Sequence, residues 1–333
     1  MQRAPAPDPL GVAAGDPMTV VVLGTGGTIA GAAANAADNV GYRAAQLGVA
    51  DLLAGLGSTA TRLEAEQVAQ VDSKDMGFDV WLALAARVAH HLARPQVAGI
   101  VIAHGTDTLE ETAYFLHRVF APAKPVVLTG AMRPASSLQA DGPQNLRDAI
   151  AVAAASGAAG VLVAMAGAVH GGDAVRKVHP YRLDAFSSGD SGPVARIEEG
   201  AVRQLRPWPT TDAFGIDVLP ADAGLWPAVE IVTSCSGATG AVVAALRAAG
   251  VRGIVAAATG NGSLHRDLEA ALRDAQASGI AVLRSTRCLD GTIVGGGAAA
   301  LPSAGGLTPV QARIELMLRL LAAAPGAGIE PAR

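Results

Sequence analysis

The chain has 333 residues, half of them hydrophobic, so it can bury a substantial core, and its length is typical of about two domains. Only 16% of the residues are charged and the net charge is −4, which gives no electrostatic basis for a nucleic-acid partner. Aromatic residues make up 3% of the chain, too few for platforms that stack bases, and two cysteines exclude a disulfide framework.

The first nine residues contain three prolines and an aspartate, where a signal peptide would need an apolar run. Residues 1–17 are therefore interpreted as a disordered leader, and the protein is predicted to be cytoplasmic. Cys235 and Cys288 fit this location, because two cysteines far apart in the chain are expected to be free thiols in a reducing compartment.

The uncharged stretch Ala149–Val169 is long enough to span a bilayer, but Gly157 and Gly160 interrupt it. A helix that ends near Gly157, followed by a buried strand over Val161–Met165, explains the stretch better. No membrane-spanning segment is predicted.

Short apolar runs alternate with helical patterns along the first part of the chain. The predicted strands are Thr19–Leu23, Gly99–Ala103, Pro125–Leu128 and Val161–Met165, and the clearest predicted helices are Val80–Leu92 and Leu109–Phe120. Strands that alternate with helices indicate βαβ units and a parallel sheet. We predict a catalytic, flavodoxin-like α/β domain over residues 18–206, with ligands bound at the carboxyl ends of its strands.

Residues 207–227 contain four prolines and no clear periodicity, so they are interpreted as a linker. The runs that follow predict a second, smaller α/β domain over residues 228–333, with strands at Val229–Thr233, Gly253–Ala257 and Ala281–Ser285. Leu307–Ala324 is predicted to be the closing helix, because Thr308 and Pro309 suit its first turn.

The first predicted strand ends in the glycine-rich turn Gly24-Thr25-Gly26-Gly27-Thr28, which admits three interpretations. Backbone amides in such a turn can bind phosphate, although no complete dinucleotide or Walker motif follows. The turn can also be a tight strand exit without a function of its own. In the third interpretation Thr28 is a nucleophile, whose hydroxyl needs a base or a polarising neighbour to react. The turn alone leaves these alternatives open.

The second predicted strand ends in His104-Gly105-Thr106-Asp107, and Thr108-x-x-Glu111 predicts a capping box at the start of the next helix. Exposed amides and the helix dipole at this end favour developing negative charge. Asp107 is interpreted either as a carboxylate for a substrate ammonium or as a helix-capping residue. For His104, a structural role is expected over a role as a base.

Three stretches together resemble the signatures of the bacterial-type asparaginase/glutaminase family. They are residues 25–30 (TGGTIA), residues 104–113 (HGTDTLEETA), and residues 130–134 (GAMRP) with 140–146 (ADGPQNL). The resemblance extends in order from residue 18 to residue 323. It implies an L-asparagine amidohydrolase that releases L-aspartate and ammonia through a threonine acyl-enzyme.

Five residues take catalytic roles by this resemblance. Thr28 is implied as the nucleophile, and Tyr42, on a mobile lid, as the residue that assists it. Thr106, Asp107 and Lys177 are implied as a second catalytic set, in which Asp107 also binds the substrate α-ammonium. A lysine beside a threonine hydroxyl and an aspartate forms a polar relay that can move protons.

The substrate-binding residues implied by the resemblance also include Ser73, for the α-carboxylate, and Lys74, Ala131 and Ser263. Two of these depart from the family pattern, since Lys74 stands where glutamine is common and Ser263 where asparagine is common. The loop at residues 287–291 lacks a glutamate that some members extend into a neighbouring subunit, and Asp290 is the candidate replacement.

The resemblance further implies a homotetramer or homodimer with sites at subunit interfaces. No cofactor and no metal are predicted, because the seven histidines are scattered without ligand spacing. The alternatives that stay open are hydrolysis of a different amide, such as glutamine or an N-acylated amino acid, and a non-catalytic small-molecule sensor on the same fold. A nucleotide-binding domain is the weaker alternative.

Overall fold

The computed structural model of the chain describes residues 18–323, except 32–34, 36, 42, 58, 60, 296, 298 and 299. Its strands are β1 (Thr19–Gly26), β2 (Arg62–Val71), β3 (Val97–Ala103), β4 (Val126–Thr129), β5 (Val161–Met165), β6 (Ala168–Gly171), β7 (Arg176–Lys177), β8 (Phe186–Ser187), β9 (Ala195–Glu198), β10 (Ala201–Gln204), β11 (Val229–Thr233), β12 (Gly253–Ala258) and β13 (Ala281–Thr286). Its α-helices are α1 (Val49–Ala54), α2 (Phe78–Leu92), α3 (Leu109–Phe120), α4 (Gly142–Ala154), α5 (Ala241–Ala248), α6 (Arg266–Ala277) and α7 (Pro309–Ala322).

The larger sheet has eight strands in the order β10-β9-β6-β5-β4-β3-β1-β2. Strands β2, β1, β3, β4 and β5 pair in parallel, and this order is that of a flavodoxin-like sheet. Strands β6, β9 and β10 extend it, each pairing antiparallel with the strand before it in the sheet. The order reverses between β1 and β3, which is where ligands bind in open α/β sheets.

Both faces of this sheet are buried, which explains the continuous apolar runs in the sequence. In β1, Val21 and Leu23 belong to the core on the side of α2 and α3, and Val20 and Val22 belong to the core on the side of α1 and α4. Successive side chains of a strand point to opposite faces, so one apolar run supplies both cores.

The smaller sheet contains β11, β12 and β13 in that order, all parallel. One of its faces packs against α5 and α6 through residues such as Val232, Ile254 and Leu268. The other face packs against α7, whose buried residues also belong to the core that covers α2 and α3. Helix α7 therefore lies between the two sheets.

A polar clamp joins α3 to α7. The Glu315 carboxylate accepts hydrogen bonds from Arg118 Nε at 2.8 Å, Arg319 Nε at 2.9 Å and the Tyr114 hydroxyl at 3.0 Å. Arg118 also reaches the segment 207–227, where its Nη1 donates to Thr211 Oγ1 and, at 2.8 Å, to Asp212 O. A carboxylate that is 5% exposed requires such partners, because an unpaired buried charge is costly.

The predicted fold class, a larger parallel-sheet domain followed by a smaller α/β domain, is confirmed. The predicted strands at β5 and β11 have the observed bounds, and Thr308 forms the capping box of α7 with Gln311. Strand β2 and the antiparallel strands were absent from the prediction. Most of β2 is only partly buried, so its sequence lacks the apolar run that marks the central strands.

Domain limits at 206/207 and 227/228 stay a prediction, and the leader predicted for residues 1–17 lies outside the described residues. Residues 207–227 form two short 3-10 helices, Ile216–Val218 and Ala223–Leu225, and Trp226 stacks on Phe78 with ring centroids 4.5 Å apart. In the described part of the chain, no helix combines the length and the apolar character needed to cross a membrane.

Candidate active site

The turns after β1 and β3 meet at the reversal of strand order. A Cβ placed on Gly27 would lie 2.2 Å from Gly105 Cα, so only glycine permits this approach of the two backbones. Gly27 also has a φ of 85°, which L side chains rarely adopt. Thr28 and Thr106 each follow one of these glycines, and the contact therefore brings the two threonine turns together.

Thr28 begins a short 3-10 helix, Thr28–Ala30, and is 8% exposed. The preceding Thr25 holds the end of β1 against β3, because its hydroxyl donates to Ala103 O at 3.1 Å. Thr28, for which the family resemblance implies the role of nucleophile, thus lies two residues after a strand end that is hydrogen-bonded to its neighbour.

Thr106, Asp107 and Lys177 form one hydrogen-bonded set. Lys177 Nζ lies 2.9 Å from Thr106 Oγ1 and 2.6 Å from Asp107 Oδ1. The lysine side chain is 16% exposed, whereas the aspartate side chain is 58% exposed. The ammonium is therefore fixed between its partners, and the carboxylate retains an open side that a positively charged ligand can reach.

Ser73 lies against the same turn and is 2% exposed. Its Oγ accepts a hydrogen bond from Asp107 N–H at 3.2 Å, and its carbonyl accepts one from Thr108 Oγ1 at 2.8 Å. The predicted capping box is wrong, since Thr108 makes no side-chain cap to α3. Its hydroxyl bonds instead to Ser73 O and so joins the turn after β2 to the turn after β3.

His104 is fully buried beneath the site. Its Nδ1 lies 2.7 Å from Gly105 O, which can only accept, so Nδ1 carries the proton. Thr112 Oγ1 then donates to Nε2 at 2.9 Å and accepts from Trp81 Nε1 at 3.0 Å. Burial lowers the pKa of His104 to about 4. The expected structural role fits these contacts, because both ring nitrogens are occupied.

Glu110 and Asp141 are polar residues of the site region that the sequence did not single out. Lys177 N–H donates to Glu110 Oε2 at 2.9 Å, and burial raises the pKa of Glu110 to about 7. The Asp141 carboxylate accepts from the amides of Met132 and Arg133 at 2.9–3.1 Å. Glu110 lies in the first turn of α3, three residues after Asp107, and this spacing could have identified it. Asp141 contacts the site across an irregular loop, where the sequence has no such periodic pattern.

Ala131 is fully buried beside this region. A Cβ on Gly142 would lie 3.4 Å from Ala131 Cβ and 2.9 Å from Ile29 Cγ1, so Ala131 lies near the residue that follows Thr28. A Cβ on the preceding Gly130 would lie 3.0 Å from Thr106 Cγ2. The turn after β4 therefore borders the two threonine turns.

Of the remaining predicted residues, two are exposed and one lies outside the described residues. Lys74 is exposed, and Asp72 and Asp75, each 2.8 Å from its Nζ, raise the pKa of its ammonium. Ser263 is exposed in a tight turn after β12, where it pairs with Thr259 through two backbone hydrogen bonds of 2.9 Å. Tyr42 lies outside the described residues.

Asp290, the candidate replacement for the family glutamate, lies in the loop after β13. Its side chain is 61% exposed, and its Oδ1 is 3.8 Å from Arg176 Nη1. Arg176 immediately precedes Lys177, and successive side chains of a strand point to opposite faces. Within one chain, Asp290 therefore lies on the face of β7 opposite to the Lys177 side chain.

An open cavity of about 410 Å³ adjoins the hydrogen-bonded set, lined by Asp107, Lys177, Val178, His179 and Pro180. Among the residues that the structure describes, no group of three or more histidine, cysteine or acidic side chains could hold a metal ion. The polar groups that the described residues bring to this site are two threonine hydroxyls, an ammonium, a carboxylate and the amides at the start of α3.

Two family models match the chain. The N-terminal asparaginase model matches residues 19–209, and the glutaminase/asparaginase C-terminal domain model matches residues 228–329.

Curated proteins and solved structures of similar sequence cover most of the chain. A glutaminase-asparaginase of Pseudomonas fluorescens biotype A is 39% identical over 283 residues, which are 83% of this chain and 77% of that protein. L-asparaginase 2 of Escherichia coli strain K12 is 36% identical over 310 residues, 90% of this chain and 88% of that protein. The crystal structure of a probable cytoplasmic L-asparaginase from Campylobacter jejuni matches with a TM-score of 0.84 at 36% identity, covering 91% of this chain and 95% of that chain.

Proposed function

The chain belongs to the asparaginase family, and from this premise we propose that it hydrolyses L-asparagine to L-aspartate and ammonia through an acyl-enzyme on Thr28. It is an amidohydrolase of the asparaginase type, with relatives named L-asparaginase and glutaminase-asparaginase at 36% and 39% identity. The observation that carries the proposed mechanism is the contact of the two threonine turns beside the paired Lys177 ammonium.

Thr28 attacks the side-chain amide carbon in this mechanism, and ammonia leaves before water releases aspartate. Tyr42 assists Thr28, as the family resemblance implies. Thr106 and Lys177 form the proton path, which the 2.9 Å contact between their polar atoms supports. A positioned proton path of this kind contributes roughly 10²- to 10⁴-fold to a rate.

Recognition of a free amino acid requires partners for both of its charges. Asp107 binds the α-ammonium, which the open side of its carboxylate supports. Ser73 binds the α-carboxylate: its Oγ accepts the Asp107 amide, which leaves its hydroxyl hydrogen free to donate to a ligand. Lys74, Ala131 and Ser263 complete the proposed substrate-binding set. The N-terminus of helix α3 also favours the negative charge of the substrate α-carboxylate.

Assembly into a homotetramer or homodimer, with sites at subunit interfaces, is part of the proposal. An apolar face on α5 supports it, because Ala241, Val242, Ala244 and Ala245 are all exposed. Light scattering on the purified protein tests this, and a monomer at working concentrations would contradict it. A cytoplasmic location is likewise proposed, supported by the neighbour from C. jejuni that is named cytoplasmic.

The first test measures ammonia release from L-asparagine and, in parallel, from L-glutamine, with the unaltered protein and Thr28→Ala. Release from asparagine is expected to fall on the order of 10³-fold or more in the variant, because the nucleophile is lost. Thr233→Ala, an exposed threonine of β11, is the matched control and is expected to retain full activity.

Full activity of Thr28→Ala would contradict the assignment of the nucleophile. Release from glutamine alone would contradict the substrate and favour the alternative amide. Absence of release from both amides by the unaltered protein would contradict the proposed reaction.

A further inference from the structure

The backbone of Lys177 is held by a carboxyl group that the proposed reaction does not use. Lys177 N–H donates to Glu110 Oε2 at 2.9 Å, although the two residues are 67 positions apart in the chain. Lys177 ends β7, a strand of two residues, so local structure does little to fix its position. Glu110, in contrast, lies in the first turn of α3 and is mostly buried.

A second contact holds the same segment from the other domain. Gln311, in the first turn of α7, donates through Nε2 to Val175 O at 3.2 Å and is 1% exposed. This contact fixes the chain two residues before Lys177, whereas the contact from Glu110 acts on Lys177 itself.

We propose that Glu110 is a positioning residue for the Lys177 ammonium. Thr106 and Asp107, the partners of that ammonium, directly precede α3, and Glu110 ties the lysine backbone to the first turn of the same helix. The proposal rests on the proposed function, in which Lys177 serves the proton path. Small misplacements of such a group are costly, since an error of about 1 Å reduces a rate by up to about 100-fold.

The protonation state of Glu110 adjusts this contact near neutral pH. The pKa of Glu110 is raised to about 7, mainly by burial and to a smaller extent by the negative charge of the neighbouring Glu111. The hydrogen bond from the Lys177 amide and the positive charges of Arg176 and Lys177 on β7 lower this pKa. Arg313 of α7 acts on Glu111. Above about pH 7 Glu110 is a carboxylate, which accepts a stronger hydrogen bond from the Lys177 amide than the neutral carboxyl does.

Steady-state kinetics on asparagine from about pH 5.5 to about pH 9 test the proposal with three variants. Glu110→Ala removes the acceptor and is expected to lower kcat on the order of tenfold at every pH, with a smaller change in KM. Glu110→Gln keeps an acceptor that cannot ionise, so it is expected to match the unaltered protein at low pH and to lose the rise in kcat through neutral pH.

Glu111→Gln is the matched control, because Glu111 is the adjacent acid of the same helix. It is expected to retain the rise in kcat, shifted to lower pH, since removal of its negative charge lowers the pKa of Glu110. Thermal unfolding of all three variants checks that they fold, and the near-isosteric Glu110→Gln keeps the test decisive if Glu110→Ala does not.

A measurement without asparagine separates this proposal from the proposed function. Acylation of Lys177 by a small reagent, followed by mass spectrometry, is expected to be at least about threefold faster in Glu110→Ala, because a lysine side chain that Thr106 and Asp107 hold less firmly is more accessible to the reagent. Unchanged kcat, pH profile and labelling in both Glu110 variants would overturn the positioning role while the proposed function stands. If no form of the protein releases ammonia, the proposed function fails. The labelling then tests the positioning role by itself, and labelling that is unchanged in the Glu110 variants overturns it.

Discussion

Two buried histidines link the stability of the protein to pH at the scale of single residues. Burial is the first cause that lowers the pKa of both His104 and His170 to about 4. Between about pH 4 and pH 6.5 the unfolded chain therefore binds protons that the folded protein excludes, so these residues make stability rise with pH. Glu110 acts in the opposite direction between about pH 4.5 and pH 7, because its raised pKa makes the folded protein bind a proton that the unfolded chain has lost.

A variant isolates one of these contributions. When the pH falls from 7 to 5, the free energy of unfolding of the unaltered protein is expected to fall by about 2 kcal/mol more than that of His170→Asn. The asparagine keeps a polar group near Ser188 Oγ, which lies 2.8 Å from His170 Nδ1. Urea unfolding of both proteins at several pH values measures this difference. Stability curves that stay parallel over the whole range would contradict the low pKa.

At the scale of elements, the clamp between α3 and α7 sets the position of the helix that begins at the active site. Glu315→Ala is expected to lower the free energy of unfolding by about 3 kcal/mol, because it leaves Arg118 and Arg319 without their shared partner. Chemical denaturation measures the loss.

The matched control is Glu269→Ala, which removes an i,i+4 ion pair with Arg273 on the surface of α6. It is expected to cost less than about 0.5 kcal/mol, because exposed pairs contribute little. Equal losses of free energy of unfolding in the two variants would show that the buried contacts of Glu315 stabilise the protein no more than an exposed ion pair does.

At the scale of the whole molecule, one hydrophobic core lies between the two sheets and packs against one face of each. It joins Leu116 of α3 and Leu316 of α7 to Val255 of β12, and the stacked rings of Phe78 and Trp226 continue it. We expect a single calorimetric unfolding transition, whose calorimetric and van't Hoff enthalpies agree, because neither sheet can expose this core alone. Two separate transitions would contradict the shared core, and Glu315→Ala should move the transition without splitting it.

Most central strands and the turns that carry the reactive side chains could be predicted from the sequence, whereas β2 and the antiparallel strands could not. Apolar runs and turn glycines are local features, so they identified strands such as β5 and β11 and the turns that carry Thr28 and Thr106. The family resemblance added the roles of Lys177 and Ser73. The pattern of strands and helices predicted a larger α/β domain followed by a smaller one, and this fold class is confirmed. The catalytic and binding roles of the single residues stay predictions, including that of Tyr42.

The way in which these turns meet depends on long-range packing. The sheet order that makes β1 and β3 neighbours, the contact of Gly27 with Gly105, and the hydrogen bond from Lys177 to Glu110 join residues far apart in the chain. Thr108 illustrates the limit, since its local pattern predicted a capping box while its hydroxyl bonds to Ser73 O, 35 positions away. Local patterns fix backbone conformation over a few residues, whereas the partner of a polar group depends on which distant segment packing brings within about 3 Å of it.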